Sequence, residues 1–261
     1  MKYKKVIIAL VLITIIVCIY LLSCPSQKKV IKKNFGSLTE KIDPDIVLIN
    51  VEEEDRAFIG KLLKIVDSCK PILIGIDVFF EIEKDPIQDS ILMQAFKEID
   101  NDILACKLDS AGKPIMPIVK FSSFVTDVGL ANVQALEGIA SFKTPLGVID
   151  TTIHKSFELK IIERWKTGFK HRIKVNQVIP IKFTRTLEQF IHFNGGVLTT
   201  KEHWSFLKNK IVIVAYLGPS NEDKFFTPIR FSTRQNDNNP DTYGGVIIAN
   251  TIRTILEYEI K

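Results

Sequence analysis

Acidic residues follow the apolar runs of the sequence at positions where side chains can do chemistry. Three such groups stand out: residues 52–55 (Glu-Glu-Glu-Asp), Asp77 with Glu81, and Asp223. Converging carboxylates can bind a hard cation, a cationic ligand or sugar hydroxyls. For residues 52–55 a competing interpretation is that the acids begin a helix, where the positive end of the helix dipole favours them. Asp77 lies within an apolar run, so its carboxylate must find a partner or bear a large desolvation cost.

Motifs of nucleotide binding and nucleophilic catalysis are missing from the sequence. The glycine-bearing turns at residues 218–220 and 244–245 fit neither the G-x-G-x-x-G pattern nor the phosphate-binding loop. No G-x-S-x-G elbow occurs, and no Cys or His spacing suggests zinc. We therefore predict a protein that is not an enzyme and that has no cofactor and no metal. A metal-assisted hydrolase that uses the acidic groups is the less favoured alternative.

Hydrophobic periodicity predicts the elements that position these acids. Continuous apolar runs predict buried strands at 46–51, 72–78, 102–107 and 211–217, and helical spacing predicts helices at 54–68, 89–99 and 243–259. Strands that alternate with helices indicate a largely parallel sheet with right-handed crossovers. We predict an α/β fold with helices on both faces of a largely parallel central sheet. An inserted mixed region occupies roughly 108–200, and one N-terminal transmembrane helix precedes the domain.

The N-terminus decides the expected compartment. Residues 6–22 carry no charge, Pro or Gly and follow MKYKK, and residues 6–24 are long enough to cross a bilayer as a helix. We favour an uncleaved anchor over a cleaved signal peptide, with 1–5 as a cytoplasmic tail, 25–42 as a linker and 43–261 as an extracytoplasmic domain. The sequence Leu-Leu-Ser-Cys at 21–24 also resembles a lipobox, in which Cys24 would carry lipid. Cys69 and Cys106 either pair in an oxidising compartment or stay as buried thiols.

The net charge argues against nucleic acid as a partner. The chain has 35 Lys+Arg and 30 Asp+Glu, a difference of +5, whereas nucleic-acid binders usually have a much larger basic excess. Positive charge concentrates in residues 155–185, where nine Lys/Arg face two Glu, a local sum of +7. This segment suits anionic lipid headgroups or an acidic partner. A solvated strand face is the favoured interpretation.

Three stretches of the chain resemble the CHASE2 domain, an extracytoplasmic sensory module of bacterial membrane receptors. They are DIVLINV at 45–51; GIDVFFE at 75–81 with DSIL at 89–92; and KIVIV at 210–214 followed by DKFFTP at 223–228, PDTYG at 240–244 and AN at 249–250. The likeness extends from about residue 43 to residue 260. In that family a membrane helix usually precedes the sensor, and further membrane helices lead to a cytoplasmic kinase, cyclase or other output domain. The present sequence stops at residue 261, so it is either a fragment of a receptor or a stand-alone relative that works with partners.

The resemblance implies a role rather than a chemistry. We expect a single-pass membrane protein whose main domain lies on the periplasmic side, binds an unidentified signal and relays it across the membrane or to a partner. The signal is an unknown small molecule or protein, and an oligomer is compatible with this role. A lipoprotein or periplasmic adaptor that binds a partner protein is the alternative. The expected ligand-binding residues are Glu52, Asp77, Glu81, Asp223 and Asp241.

Overall fold

The computed structural model describes residues 37–198, 204–233 and 238–260. Its strands are β1 (Ile46–Asn50), β2 (Leu73–Asp77), β3 (Asp102–Leu108), β4 (Pro114–Ile115), β5 (Asp127–Leu130), β6 (Gln134–Leu136), β7 (Ile139–Lys143), β8 (Leu146–Ile149), β9 (Thr152–Lys155), β10 (Ile179–Pro180), β11 (Ile191–Asn194), β12 (Ile211–Ala215), β13 (Lys224–Phe225) and β14 (Thr242–Tyr243). Its helices are α1 (Arg56–Ser68), α2 (Pro86–Glu98), α3 (Val119–Ser122), α4 (Phe157–Trp165), α5 (Gly195–Leu198), α6 (Ile229–Thr233) and α7 (Gly244–Leu256), with short 3₁₀ helices at Leu187–Gln189 and Ser205–Leu207.

The central sheet is mostly parallel, as predicted. Its parallel strands lie in the order β11, β1, β12, β2, β3, β5, and β4 pairs with β3 in antiparallel orientation. The four strands predicted from apolar runs form the middle of this sheet. The last of them in sequence, β12, lies between the first two, β1 and β2.

Helices cover both faces of the sheet, which explains the continuous apolar runs of its strands. In β1, Ile46 and Leu48 point to one core cluster, whereas Val47 and Ile49 point to the other. The first cluster contains residues of α4 and α7, and the second contains residues of α1 and α2. We call the two sides the α4–α7 face and the α1–α2 face. The predicted two-sided arrangement is therefore confirmed.

Helix α2 begins three residues before the predicted start at residue 89. The Asp85 carboxylate accepts hydrogen bonds from the N–H groups of Ile87 and Gln88 at 3.0 and 2.9 Å, and Pro86 occupies the first helical position. An acidic cap followed by proline fixes a helix start because both suit the unpaired N–H groups there. Asp89 is instead fully buried and accepts a hydrogen bond from the Arg56 guanidinium at 2.6 Å.

The middle of the chain contains the predicted mixed region. Strands β6, β7 and β10 form a small antiparallel sheet, and β8 pairs with β9 as a hairpin. Helix α4 follows and packs on the central sheet. Gly75 of β2 allows this close packing, since a Cβ there would lie 3.0 Å from Ile161 Cδ1 and 3.1 Å from Phe157 Cζ.

Several predictions concern residues outside the described ranges. Residues 1–5, the apolar segment 6–24 with Cys24, and most of the linker 25–42 belong to this group. Within 37–198, 204–233 and 238–260, no helix has both the length and the apolar character that a bilayer span requires. Cys69 and Cys106 are both free thiols.

The basic residues of segment 155–185 form ion pairs, one within the segment and the others with acids from other parts of the chain. Its pairs are Lys155–Glu163, Lys160–Asp127, Lys166–Glu259, Lys182–Glu257 and Arg185–Asp43. Most of these side chains are partly exposed to solvent. This distribution favours a solvated surface, but the predicted strand face is wrong, because residues 157–165 form helix α4.

Candidate functional site

Two crevices open at the carboxyl ends of the central strands, one on each side of β12. Strands β1 and β2 lead into α1 and α2 on one face, whereas β12 leads through a longer connection to α7 on the opposite face. Neighbouring strands whose connections leave toward opposite faces form a topological switch point, where ligands of open α/β sheets usually bind. A cavity lies on each side of β12 at this edge.

The cavity at the carboxyl end of β2, which we call the Asp77 cavity, has a volume of about 230 Å³. Its walls combine two carboxylates with apolar side chains from several elements. The lining residues are Asp77, Phe79, Lys107, Ala131, Asn132, Val133, Asp223, Phe225, Gly244, Ile247 and Ile248. The structure thus places Asp77 and Asp223, which are 146 positions apart in the sequence, in the same cavity.

Asp77 is the last residue of β2 and pairs in register with Ala215 of β12. Its side chain is half-buried, and within the described residues no hydrogen bond or ion pair to its carboxylate is found. Burial, together with the negative charges of Asp223 and Glu158, raises the pKa of Asp77 to about 8, although Lys143 acts in the opposite direction. A carboxyl group in this setting holds its proton near neutral pH unless a cation arrives.

Asp223 lies in the loop between β12 and β13 and packs against the first residue of α7. The Gly244 N–H donates to the main-chain oxygen of Asp223 at 3.0 Å. Burial raises the pKa of Asp223 to about 7, while the Gly244 N–H lowers it in part. Because the two carboxyl groups interact, their protons belong to the pair, which carries less than two full negative charges at neutral pH.

A buried ion pair lies beside Asp77. Lys143 of β7 and Glu158 of α4 are 2.9 Å apart, with side chains only 2% and 1% exposed. The Lys143 ammonium also donates to the carbonyl of Leu130 at 3.2 Å. Each charge affects the Asp77 pKa, but in opposite directions. This pair is not predicted from the sequence, because the short strands of the middle region show no clear periodicity.

Glu81 reaches the mouth of the Asp77 cavity through an ion pair with Lys107. The Lys107 ammonium also lies 4.8 Å from the centre of the Phe79 ring. Lys107 therefore already has an acidic partner and an aromatic partner. Glu81 is not itself among the residues that line the cavity.

Glu52 belongs to the second cavity, on the other side of β12. This cavity has a volume of about 560 Å³ and is lined by Asn50, Glu52, Glu53, Glu54, Asn194, Tyr216, Leu217, Gly218 and Pro219. Glu52 accepts a hydrogen bond from Asn194 Nδ2 at 2.9 Å, and Asn194 in turn accepts one from Asn50 Nδ2 at 3.0 Å. The structure does not bring Glu52 together with Asp77, because β12 separates the two cavities.

Asp241 organises a loop and lines neither cavity. One of its carboxylate oxygens accepts hydrogen bonds from the Thr227 N–H and hydroxyl, both at 3.1 Å, and from the Thr242 hydroxyl at 2.7 Å. Its N–H donates to the carbonyl of Phe225 at 3.1 Å. These contacts hold together strands β13 and β14, of which β13 follows Asp223 and β14 precedes Gly244.

Metal binding was one of the chemistries that the acids suggested. Across the part of the chain that the structure describes, no group of three or more His, Cys, Asp and Glu side chains is arranged to hold a metal ion. The Asp77 cavity offers two carboxylates and mainly apolar walls.

These features define an α/β domain with a small cavity at the switch point of its sheet, a geometry suited to binding a small molecule. When the chain is compared with protein families, residues 16–261 match the CHASE2 domain. Since this match covers nearly the whole chain, the protein belongs to the CHASE2 domain family, as the sequence resemblance indicated. CHASE2 is a family of extracytoplasmic sensory domains and not a catalytic one. Neither the search of curated proteins nor that of solved structures found a match.

Proposed function

We propose that the protein is a membrane-anchored sensor that binds a small signal molecule in the Asp77 cavity, outside the cytoplasm. The observation that carries this proposal is the Asp77 carboxylate, which faces a cavity at the sheet's switch point without a partner among the described residues. A half-buried carboxylate without a partner carries an uncompensated desolvation free energy. A ligand that satisfies it recovers this cost on binding. Membership of a sensory family supports the same role.

Helix α7 offers a physical route from the cavity to the membrane side of the domain. It begins at Gly244 and contributes Ile247 and Ile248 to the cavity wall. Nine residues later, about 14 Å along the helix, Arg253 donates to the buried Asp43 carboxylate through Nε at 2.8 Å. Asp43 lies close to the point where the chain joins the domain, and the Thr39 N–H just before it already donates to the carbonyl of Thr184 at 2.7 Å. Ligand contact with the first turn of α7 thereby favours one position of this helix. Because Arg253 and Asp43 form an ion pair, a shift of α7 also shifts Asp43 and the residues that precede it.

A thermal-shift experiment tests binding in the cavity. The full chain is mixed with a low-molecular-mass extract of the cells that make it. The Ala131→Phe variant fills the cavity, and Leu136→Phe places the same side chain at an exposed position of the same segment. We expect the extract to raise the Tm of the wild type and Leu136→Phe by about 5–10 °C at saturating ligand. Ala131→Phe should not respond. An equal response from all three proteins, or from none, would count against the proposal.

Two further measurements test location and relay. Alkaline phosphatase fused to the C-terminus folds only outside the cytoplasm, so the fusion should be active; an inactive, intact fusion contradicts the expected side of the membrane.

Hydrogen exchange of residues 37–45 should change when the ligand captured from the extract is added. Arg253→Met should bind that ligand normally but lose this change. An unchanged response in Arg253→Met would argue against relay through α7.

A further inference from the structure

We infer that the signal is a small organic amine, whose ammonium group lies between the carboxylates of Asp77 and Asp223 and whose apolar body packs against the cavity wall. This inference rests on the proposed function and names its ligand class. It follows from the distribution of charge around the cavity, the chemistry of its walls and its size.

The charges around the Asp77 cavity are paired except at the two aspartates. Lys107 pairs with Glu81 at the mouth, and Lys143 pairs with Glu158 beside Asp77. Asp77 and Asp223 have no basic side chain as a partner within the described residues. The cavity is therefore negative when its acids ionise, so it repels anions and attracts cations.

The walls favour an organic cation over a metal ion. Phe79, Val133, Phe225, Ile247 and Ile248 supply apolar surface around the two carboxylates. Calcium takes six to eight oxygen ligands, and magnesium retains much of its hydration shell, neither of which suits such walls. An organic amine matches both parts of the lining. Its ammonium group donates hydrogen bonds to the carboxylates, while its hydrocarbon part packs against the apolar residues.

The size of the cavity limits the ligand to a small molecule. Its volume of about 230 Å³ is less than the roughly 300–1,000 Å³ that pockets for drug-sized ligands occupy. An amine with one ring or one short alkyl chain is of suitable size. A peptide or an oligosaccharide is not.

Proton linkage gives the inference a distinctive signature. Burial raises the pKa of Asp77 to about 8 and that of Asp223 to about 7, so the empty pair holds protons at neutral pH. The other charged groups facing the pair are Glu158 with Lys143, and Lys107 with Glu81. An ammonium group binds the ionised carboxylates, so binding releases protons. Amine affinity should therefore rise as the pH increases from 6 to 8.

Calorimetry on the full 261-residue chain in detergent tests the inference. The probes are 2-phenylethylamine and hexylamine, with 2-phenylethanol and hexanol as uncharged isosteres, 3-phenylpropionate as an anion, and Mg²⁺ and Ca²⁺ as metals. We expect an amine to bind at least tenfold more tightly than its alcohol and to release protons when buffers of different ionisation enthalpy are compared. Asp77→Asn and Asp223→Asn should each weaken amine binding at least tenfold. Glu83→Gln, an exposed acid close in sequence to Asp77, should not.

Other outcomes overturn the inference. These are binding of no amine, equal binding of amine and alcohol, binding only of the anion or the metals, or amine binding that survives both aspartate substitutions. The extract experiment separates this failure from failure of the sensor role. A ligand from the extract that requires the open cavity but is not an amine contradicts the ligand class and leaves the sensor proposal in place.

Discussion

The carboxylate of Asp223 rests directly on the backbone of Gly244. A Cβ added to Gly244 would lie 2.6 Å from Asp223 Oδ2 and 2.7 Å from Oδ1, closer than such atoms approach in folded proteins. Glycine at the first position of α7 is therefore what lets the Asp223 carboxylate reach the cavity. The loop after β12 and the start of α7 form one unit, and any ligand that contacts one of them affects the other.

Gly244→Ala should displace the Asp223 carboxylate and destabilise the domain by about 1–3 kcal/mol, the usual range for overpacking. Urea unfolding measures this change. Asp223→Ala in the Gly244→Ala background should restore most of the loss, because it removes the clashing atoms. Gly147→Ala is the matched control, since a Cβ there meets only Thr144 Cγ2 at 3.9 Å. Equal destabilisation by both glycine substitutions would refute the steric explanation.

The protonation of Asp77 should make the protein less stable as the pH rises from 4 to 8. The unfolded carboxyl group loses its proton near pH 4, whereas burial and the nearby acids hold the folded pKa at about 8. Between these values the folded state binds more protons, so the free energy of unfolding falls by up to about 1.4 kcal/mol per pH unit for each such group. Asp77→Asn should flatten this dependence and unfold at higher urea than the wild type at pH 8. Identical profiles from pH 5 to 8 would show that Asp77 ionises normally.

Breaking the Lys143–Glu158 pair from one side should be costly. Lys143→Met leaves Glu158 buried without its cation and should lower the free energy of unfolding by about 3–5 kcal/mol. The double variant Lys143→Met/Glu158→Leu should recover much of this loss, because two apolar side chains need no partner. Denaturant unfolding of the wild type, the two single variants and the double variant gives the interaction free energy between Lys143 and Glu158. Additive effects of the two substitutions would mean that the ions do not interact.

The Arg56–Asp89 pair should hold α1 and α2 together. Arg56 also donates to the carbonyl of Ile82 at 2.8 Å, and its guanidinium lies 5.4 and 5.3 Å from the centres of the Phe80 and Phe121 rings. Despite burial, Arg56 holds the pKa of Asp89 below its usual value. Arg56→Met should therefore cost about 3 kcal/mol in urea unfolding.

The same two helices supply a matched control for that prediction. Lys64 of α1 and Glu98 of α2 form an ion pair at 2.6 Å whose side chains are 49% and 42% exposed. Lys64→Met should leave the unfolding midpoint unchanged, because exposed ion pairs contribute little. Similar losses of stability in Arg56→Met and Lys64→Met would mean that burial does not determine how much these ion pairs stabilise the protein.

The central fold was predictable from sequence because its strands are buried on both faces. Runs such as IVLI at 46–49 and IVIVA at 211–215 contain no polar residue, and amphipathic helices separate the predicted strands. The middle region was not predictable in detail. Its strands β6 and β8 have only three and four residues and expose part of their side chains, so neither a period of two nor a continuous apolar run emerges.

The candidate site was partly predictable for the same reason. Asp77 was notable as a carboxylate at the end of an apolar strand, and Asp223 follows the end of the predicted strand at 211–217. Glu52 looked equivalent to them, but the insertion of β12 between β1 and β2 places it in a different cavity. Val133 and Lys143 were missed because they come from the inserted region, whose position on the sheet depends on long-range packing that no local pattern reveals.

The most direct measurement is a crystal structure of the full chain with the ligand captured from its own cells. We expect electron density for a small molecule in the Asp77 cavity, with a basic nitrogen within hydrogen-bonding distance of both Asp77 and Asp223. Density for that ligand in any other place, with only solvent beside the two aspartates, would contradict it.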